Sequence, residues 1–310
     1  MITEPGIYKI PAVEYHADPC PAPSASRGFL QKLVSATPLH AFIEHPRLNP
    51  NFIPEDNKDF DFGSAAHDYL LEGGEKVVVL NFPDYRTSAA KAERDAVVAM
   101  GKLPILQCKF DKVESMVKAF REQIECHAQF KDAFKSGKAE QSIIWSEDGT
   151  WFRSMPDFIA DDGWIDDYKT TEMTGGPDRW INGVFFDKGY DLQAYMAMRG
   201  YYKITGQRAK GFRFWVQEVD SPHSVYCVVP SELTHDIAEQ KFFHGKMIFE
   251  KCLKSGRWPG YKNTAYVADP TFMANKRYED IKVQRQEIDQ NEGELMRIMT
   301  DWQSPLERKA

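Results

Sequence analysis

Two aspartates and a lysine stand where they could share one metal-centred site. Asp157 lies in Met155-Pro156-Asp157, and Asp167 and Lys169 lie in Ile165-Asp166-Asp167-Tyr168-Lys169-Thr170. Between them, Asp161-Asp162-Gly163 is a turn signal flanked by the apolar runs Phe158–Ala160 and Trp164–Ile165. Three-residue hairpin loops commonly place Gly at their last, left-handed position, which suits Gly163. Pairing outward from that bend sets Ala160 opposite Trp164, Ile159 opposite Ile165 and Asp157 opposite Asp167. Side chains alternate along a strand, so Asp157, Asp167 and Lys169 share a face. Carboxylates opposed across a strand pair, roughly 5 Å apart, repel each other. A divalent cation between them turns that repulsion into coordination, and hard oxygen ligands suit Mg²⁺ or Mn²⁺. Such a centre activates a phosphate ester by Lewis acidity. Lys169 would orient or help deprotonate the attacking water and stabilise developing phosphate charge, or would merely ion-pair with the aspartates.

These residues resemble the PD-(D/E)xK nuclease signature, and Trp164 to Glu172 is similar to the D-x-K-T-T form of its RecB-like and RecE-like branches. Phe62-Gly63-Ser64-Ala65-Ala66-His67 resembles the G-x-x-x-H helix that precedes the core in that clade. Ser26 to Pro38-Leu39-His40 is similar to the opening segment of RecE-type exonucleases (exodeoxyribonuclease VIII), and Ala139 to Trp145 to the strand entering the core. The resemblance implies an α/β, restriction-endonuclease-like core with a mixed central β-sheet flanked by helices. It implies a Mg²⁺-dependent exonuclease, tolerant of Mn²⁺, acting on double-stranded DNA ends. Degradation 5′→3′, a role in recombination, a ring-like homo-oligomer and a RecT-like single-strand annealing partner follow from the same likeness. It also implies that His67 contacts the metal together with Asp157 and Asp167. Glu140 is either an additional carboxylate or an exposed strand-end charge. Gln193 carries over from the Q-x-x-x-Y pattern as a substrate contact, but Ala197 stands where the tyrosine belongs. Arg153 is a shifted phosphate contact or a strand-edge charge, and Thr170 bonds phosphate or caps the strand end. An endonuclease of the same superfamily and a non-catalytic DNA-binding subunit are the alternatives; the intact Asp157, Asp167, Lys169 set argues against the second.

The 310-residue chain is 42% hydrophobic and 13% aromatic, as expected of a globular protein with a sizeable core. No apolar run approaches the roughly 18 residues of a membrane span. The first residues carry no signal-peptide pattern, so a soluble, cytoplasmic protein is expected. Five scattered cysteines without a C-x-x-C suggest neither zinc nor disulfides, and argue against the iron–sulfur branch of the superfamily. The net charge of −7 conceals a basic stretch from Leu192 to Gln217, with Arg199, Lys203, Arg208, Lys210 and Arg213 and no acid. That stretch is either a DNA-facing surface, with Arg208 and Lys210 as contacts, or a solvated helix face and loop.

Around the site the sequence predicts three parts: an extended, proline-rich arm over 1–25, a nuclease domain over 26–265 and a charged helical tail over 266–310. Helices are expected over 26–35, 38–45, 63–73, 88–101, 110–135, 188–204 and 231–255, and a charged one over 271–303. Strands are expected over 77–82, 140–145, 151–160, 164–170, 211–219 and 223–229, with a mobile loop over 46–61 and a further loop at Gly175-Gly176-Pro177.

Overall fold

The structure, a computed structural model, describes residues 1–54 and 62–290. It divides into one unit over Met1–Gly260 and a second over Tyr261–Ala310.

The first unit runs β1 (Gly6–Tyr8), α1 (Ala12–His16), β2 (Ser24–Ala25), α2 (Arg27–Ser35), α3 (Pro38–Ile43), α4 (Phe62–Leu71), β3 (Val77–Leu80), α5 (Ser88–Ala99), β4 (Leu103–Leu106) and α6 (Gln107–Glu125). It continues through β5 (Gly137–Ala139), β6 (Ser142–Glu147), β7 (Thr150–Ser154), β8 (Phe158–Ala160), β9 (Trp164–Thr171) and α7 (Gly176–Trp180) with a π-helical turn over Ile181–Phe185. Last come α8 (Tyr190–Thr205), β10 (Gly211–Glu218), β11 (Val225–Val228) and α9 (Glu232–Ser255). The central mixed sheet has the order β11-β10-β9-β8-β5, a second sheet the order β1-β6-β7-β2, and β3 pairs with β4. This is the expected α/β class.

β10 is buried along its whole length, as a central strand covered on both faces must be. It lies parallel to β9, with Phe214 beside Asp167 and Val216 beside Lys169. One face of this pair sends Tyr168 and Trp215 into a core with Ala65 and Ala66 of α4 and Phe120 of α6. The other sends Ile165, Phe212, Phe214 and Val216 against α7 and α8. The alternation of the strand therefore decides which residues meet α4 and which meet α8.

Residues 1–25 are not an extended arm. β1 pairs antiparallel with β6 and β2 parallel with β7, and Asp18, Cys20 and Ser24 are buried. The prolines bracket these short pieces: Pro11 sits at the N-cap of α1, and Pro5 and Pro23 flank strands. Their composition resembles a solvated linker, but each lies where no ladder donor is needed. The helix expected to reach 135 stops at Glu125, because the His127 ring accepts the backbone N–H groups of Gln129 and Phe130 and turns the chain. The expected strand over 151–160 breaks at Met155–Asp157 into β7 and β8, which belong to different sheets. α7 replaces the expected loop, with Pro177 in its first turn. Of the loop expected over 46–61, residues 55–61 lie outside the described residues.

α8 crosses β6 unusually closely at Gly200, where an added methyl would meet Trp145 at 2.7 Å and Ile143 at 2.9 Å. Gly200→Ala is expected to cost about 1–3 kcal/mol through overpacking. A lowered urea midpoint with unchanged slope would report it.

In the second unit, α10 (Phe272–Gln290) carries the charged helix expected over 271–303, and its described side chains are exposed. The rest of that expected helix lies outside the described residues.

Candidate active site

The site forms where the chain passes twice between the two sheets. β5 leads into β6 through Glu140 and Gln141, and β7 leads into β8 through Met155–Asp157. The crossings lie side by side, joined by a hydrogen bond from the Glu140 N–H to the Asp157 carbonyl at 2.8 Å. Glu140 takes a left-handed backbone, φ +54°, a conformation costly for a residue with a Cβ and concentrated at functional sites. A continuous strand over 140–145, as the sequence suggests, would have aimed this carboxylate elsewhere.

The hairpin matches its expected register. Ile159 opposes Ile165, and the Gly163 N–H, at φ +94°, bonds the Ala160 carbonyl. Beyond Phe158–Asp166, β8 pairs no further with β9. Asp157 takes over: its Oδ2 accepts the Tyr168 N–H at 2.7 Å. The other oxygen, Oδ1, lies 3.0 Å from His67 Nε2, which stands 3.2 Å from Glu140 Oε1. One ligating atom from each of His67, Glu140 and Asp157 lies within 4.8 Å of the others. Ala65 and Ala66, both buried, bring α4 close enough for His67 to reach.

Asp167 and Lys169 point toward α8, on the face predicted for them. The Lys169 ammonium ion-pairs with Asp167 Oδ1, and Gln193 of α8 donates to Asp167 Oδ2. The expected ligand trio His67, Asp157 and Asp167 is therefore not the group at mutual ligating distance. Glu140 stands in place of Asp167, whose charge is taken up by Lys169. Lys169, Thr170, His67, Glu140 and Asp157 all line one open groove of about 580 Å³. Lys76 and Tyr190, neither singled out in the sequence, line it as well.

The electrostatics follow from crowding charge out of water. Burial alone would lower the His67 pKa from its ordinary 6.5, but Asp157, Glu140 and Asp167 outweigh it and raise it to about 9. Burial, then the neighbouring Asp157, lifts Asp167 from 3.8 to about 6 against the pull of Lys169. Burial would lower Lys169, yet Asp167 and Asp157 hold it above the usual amine range. Lys169 is thus held as a cation, suited to stabilising anionic charge rather than to removing a proton.

A cation entering the trio must displace the His67 proton, since an imidazole ligates only when neutral. The site is protonated below about pH 9, so Mn²⁺ affinity is expected to strengthen as pH rises from 6 toward that value. Calorimetry in two buffers of different ionisation heat should show close to one proton released per ion at neutral pH. In the metal-free protein the sign reverses. The stability from the His67–carboxylate pairing is complete below 6.5 and is lost as pH rises through about 9.

Other expected contacts fall elsewhere. Arg153 is buried: it donates to the Ser24 carbonyl at 2.8 Å and Ser24 Oγ at 2.6 Å, with Asp18 at 3.3 Å. It is neither a phosphate contact nor a strand-edge charge; it ties β7 to the N-terminal segment. The basic stretch is mostly neutralised internally. Arg199 and Lys203 pair with Glu147, and Arg213 pairs with the fully buried Asp166 through two 2.6 Å bonds. Arg208 and Lys210 are exposed, but Lys210 bonds Gly163 at the bend. At roughly 3.3 Å per residue, the bend is about 17–20 Å along β9 from Lys169. Gln193 donates to Asp167 in this geometry.

The sequence profile of a family described as a PDDEXK-like domain of unknown function (DUF3799) matches residues 32–270, most of the chain. The chain belongs to this family. Among solved structures, the chain is similar to the crystal structure of a putative exonuclease from Eubacterium rectale, with TM-score 0.55 and 13% identity. The match covers 86% of this chain and 98% of that one, a likeness of fold. No curated protein matches the chain in sequence. Among the described residues, no helix is long and apolar enough to cross a membrane.

Proposed function

We propose that this PDDEXK-like protein is a divalent-cation-dependent deoxyribonuclease, and specifically a RecE-type exonuclease acting at duplex DNA ends. The observation that carries the reading is the convergence of His67, Glu140 and Asp157 in a groove that Lys169 also lines, with the buried Asp167 paired to that lysine. Oxygen donors from two carboxylates and one imidazole nitrogen fit Mg²⁺ and accommodate Mn²⁺. His67, Glu140 and Asp157 would hold the ion, with Asp167 as the adjacent carboxylate. Such an ion supplies Lewis-acid activation of the phosphodiester and offsets the crowded acids that would otherwise repel DNA.

The residues of the chain do the positioning. Lys169 presents an ammonium to the phosphate and stabilises its developing charge. Gln193 fixes the Asp167 carboxylate, and Thr170 offers a hydroxyl on the same groove wall. The RecE-like resemblance extends the proposal to 5′→3′ degradation by a ring-like homo-oligomer, with the surviving strand passed to a RecT-like annealing protein.

End-labelled linear duplex, incubated with the protein and Mg²⁺ and again with EDTA, tests this directly. Linear DNA should be lost only with the ion, while closed circles survive. Rapid loss of circles would favour an endonuclease. Persistence of both substrates with Mg²⁺ and with Mn²⁺ would remove the nuclease reading.

A further inference from the structure

We infer that Tyr190 positions the Lys169 ammonium, by holding it over the face of its ring. The inference rests on the reading of Lys169 as the phosphate-facing cation. Lys169 Nζ lies 5.4 Å from the Tyr190 ring centre, within range for a cation–π contact. The lysine is tethered at two points, by the Asp167 carboxylate and by this ring. The side chain of Lys169 keeps 20% of its surface exposed, so the tethers leave it open to the groove.

The ring is itself fixed from behind. It stacks on buried Trp180 of α7, centroids 5.3 Å apart and planes 13° from parallel, and packs on Phe214 of β10 at 5.6 Å. A second cation, Arg27, has its guanidinium carbon 5.9 Å from the same ring centre and is anchored by a 2.7 Å bond to the Lys188 carbonyl. A side chain so braced can hold a long, flexible lysine in one rotamer.

The placement also accounts for the missing tyrosine of the helix pattern. Ala197 occupies the place one turn after Gln193, whereas Tyr190 stands three residues before it and so on the same helix face. Two neighbouring positions of α8 thus serve two alternate residues of β9: Gln193 holds Asp167 and Tyr190 holds Lys169. The division of labour is a property of this chain's own register between α8 and β9.

Tyr190→Leu and Tyr190→Phe separate the ring from simple bulk, with Tyr190→Met as a second ring-free variant should leucine pack poorly against Trp180. Two readouts are needed on the full chain. Acetylation of Lys169 by acetic anhydride, followed by peptide mass spectrometry without DNA, should speed up about threefold to thirtyfold in the ring-free variants, the span a lost cation–π contact allows. The phenylalanine variant should match the parent. With linear duplex and Mg²⁺, at a temperature where every variant is folded, kcat should fall by a similar factor in the ring-free variants while KM and Mn²⁺ affinity hold, and phenylalanine should restore it. Parental Lys169 reactivity in the ring-free variants would overturn the inference, whatever the nuclease assay shows. So would equal loss in Tyr190→Phe, which would assign the effect to the hydroxyl. A parent inert on DNA, with Lys169 released only in the ring-free variants, would remove the nuclease reading and leave the tether standing.

Discussion

Asp167→Asn is expected to reduce DNA cleavage by roughly 10²–10⁴-fold, the range for loss of a group that organises proton and charge transfer. The fold should survive. Asparagine has nearly the same shape, its carbonyl can still accept from Gln193, and the buried negative charge it removes is one the site holds at a cost. Burial and Asp157 already push the Asp167 pKa up to about 6. The variant should therefore melt no lower than the parent, and near neutral pH it should melt somewhat higher. Its defect is electrostatic: Lys169 loses its anionic partner and the groove loses a carboxylate beside the ion. Single-turnover cleavage of linear duplex, with a thermal melt alongside, checks both halves. Parental cleavage by this variant would show that the assigned chemistry is wrong.

The neighbouring substitution should behave in the opposite way. Asp166→Ala is expected to destabilise the protein by about 3–5 kcal/mol, because it strands a buried guanidinium without its partner. Asp166 is fully buried and accepts hydrogen bonds from Nε and Nη2 of Arg213 at 2.6 Å and from the Trp215 indole N–H at 2.8 Å. Arg213 in turn lies over the rings of Phe130 and Trp164, at 4.9 and 4.8 Å. Replacing the pair together, Asp166→Ala with Arg213→Met, should recover much of the loss, since no unpaired charge then remains. Urea denaturation of the two single variants and the double variant measures this. If the single and double changes cost the same, the ion pair is not what holds these strands. Adjacent aspartates on one strand thus separate chemistry from stability, for no reason beyond the period of two along β9.

How legible this was in the sequence depends on whether a signal was local. The β8–β9 hairpin was readable because its turn residues and flanking apolar runs fix the register by themselves, and that register puts Asp167 and Lys169 on one face. The α9 helix was readable for the same reason, from the Gly256 that ends it in the left-handed region. What failed depended on distant partners. The N-terminal 25 residues look like a solvated arm until β6 and β7 are there to pair with them. Arg153 looks like a surface cation until Asp18 and Ser24 are brought beneath it.

The ligand set shows the same limit. Glu140 could not be decided from sequence, since its orientation comes from a sheet-to-sheet crossing and a left-handed backbone that β-propensity does not encode. The basic stretch of 192–217 was legible as charge but not as surface, because Glu147 and Asp166 come from strands far away in the chain. Tyr190 carried a signal that could have been used: it lies three residues before Gln193, on one helical face.

His67, Glu140 and Asp157 are expected to close around a divalent cation. Crystals of the protein soaked in Mn²⁺ and measured at the manganese absorption edge test it most directly. One anomalous peak should lie within coordination distance of His67 Nε2, Glu140 and Asp157, and should vanish in His67→Ala. A peak elsewhere on the surface with none among these residues, or none at saturating Mn²⁺ and pH 8, would show that the three side chains do not form a metal site.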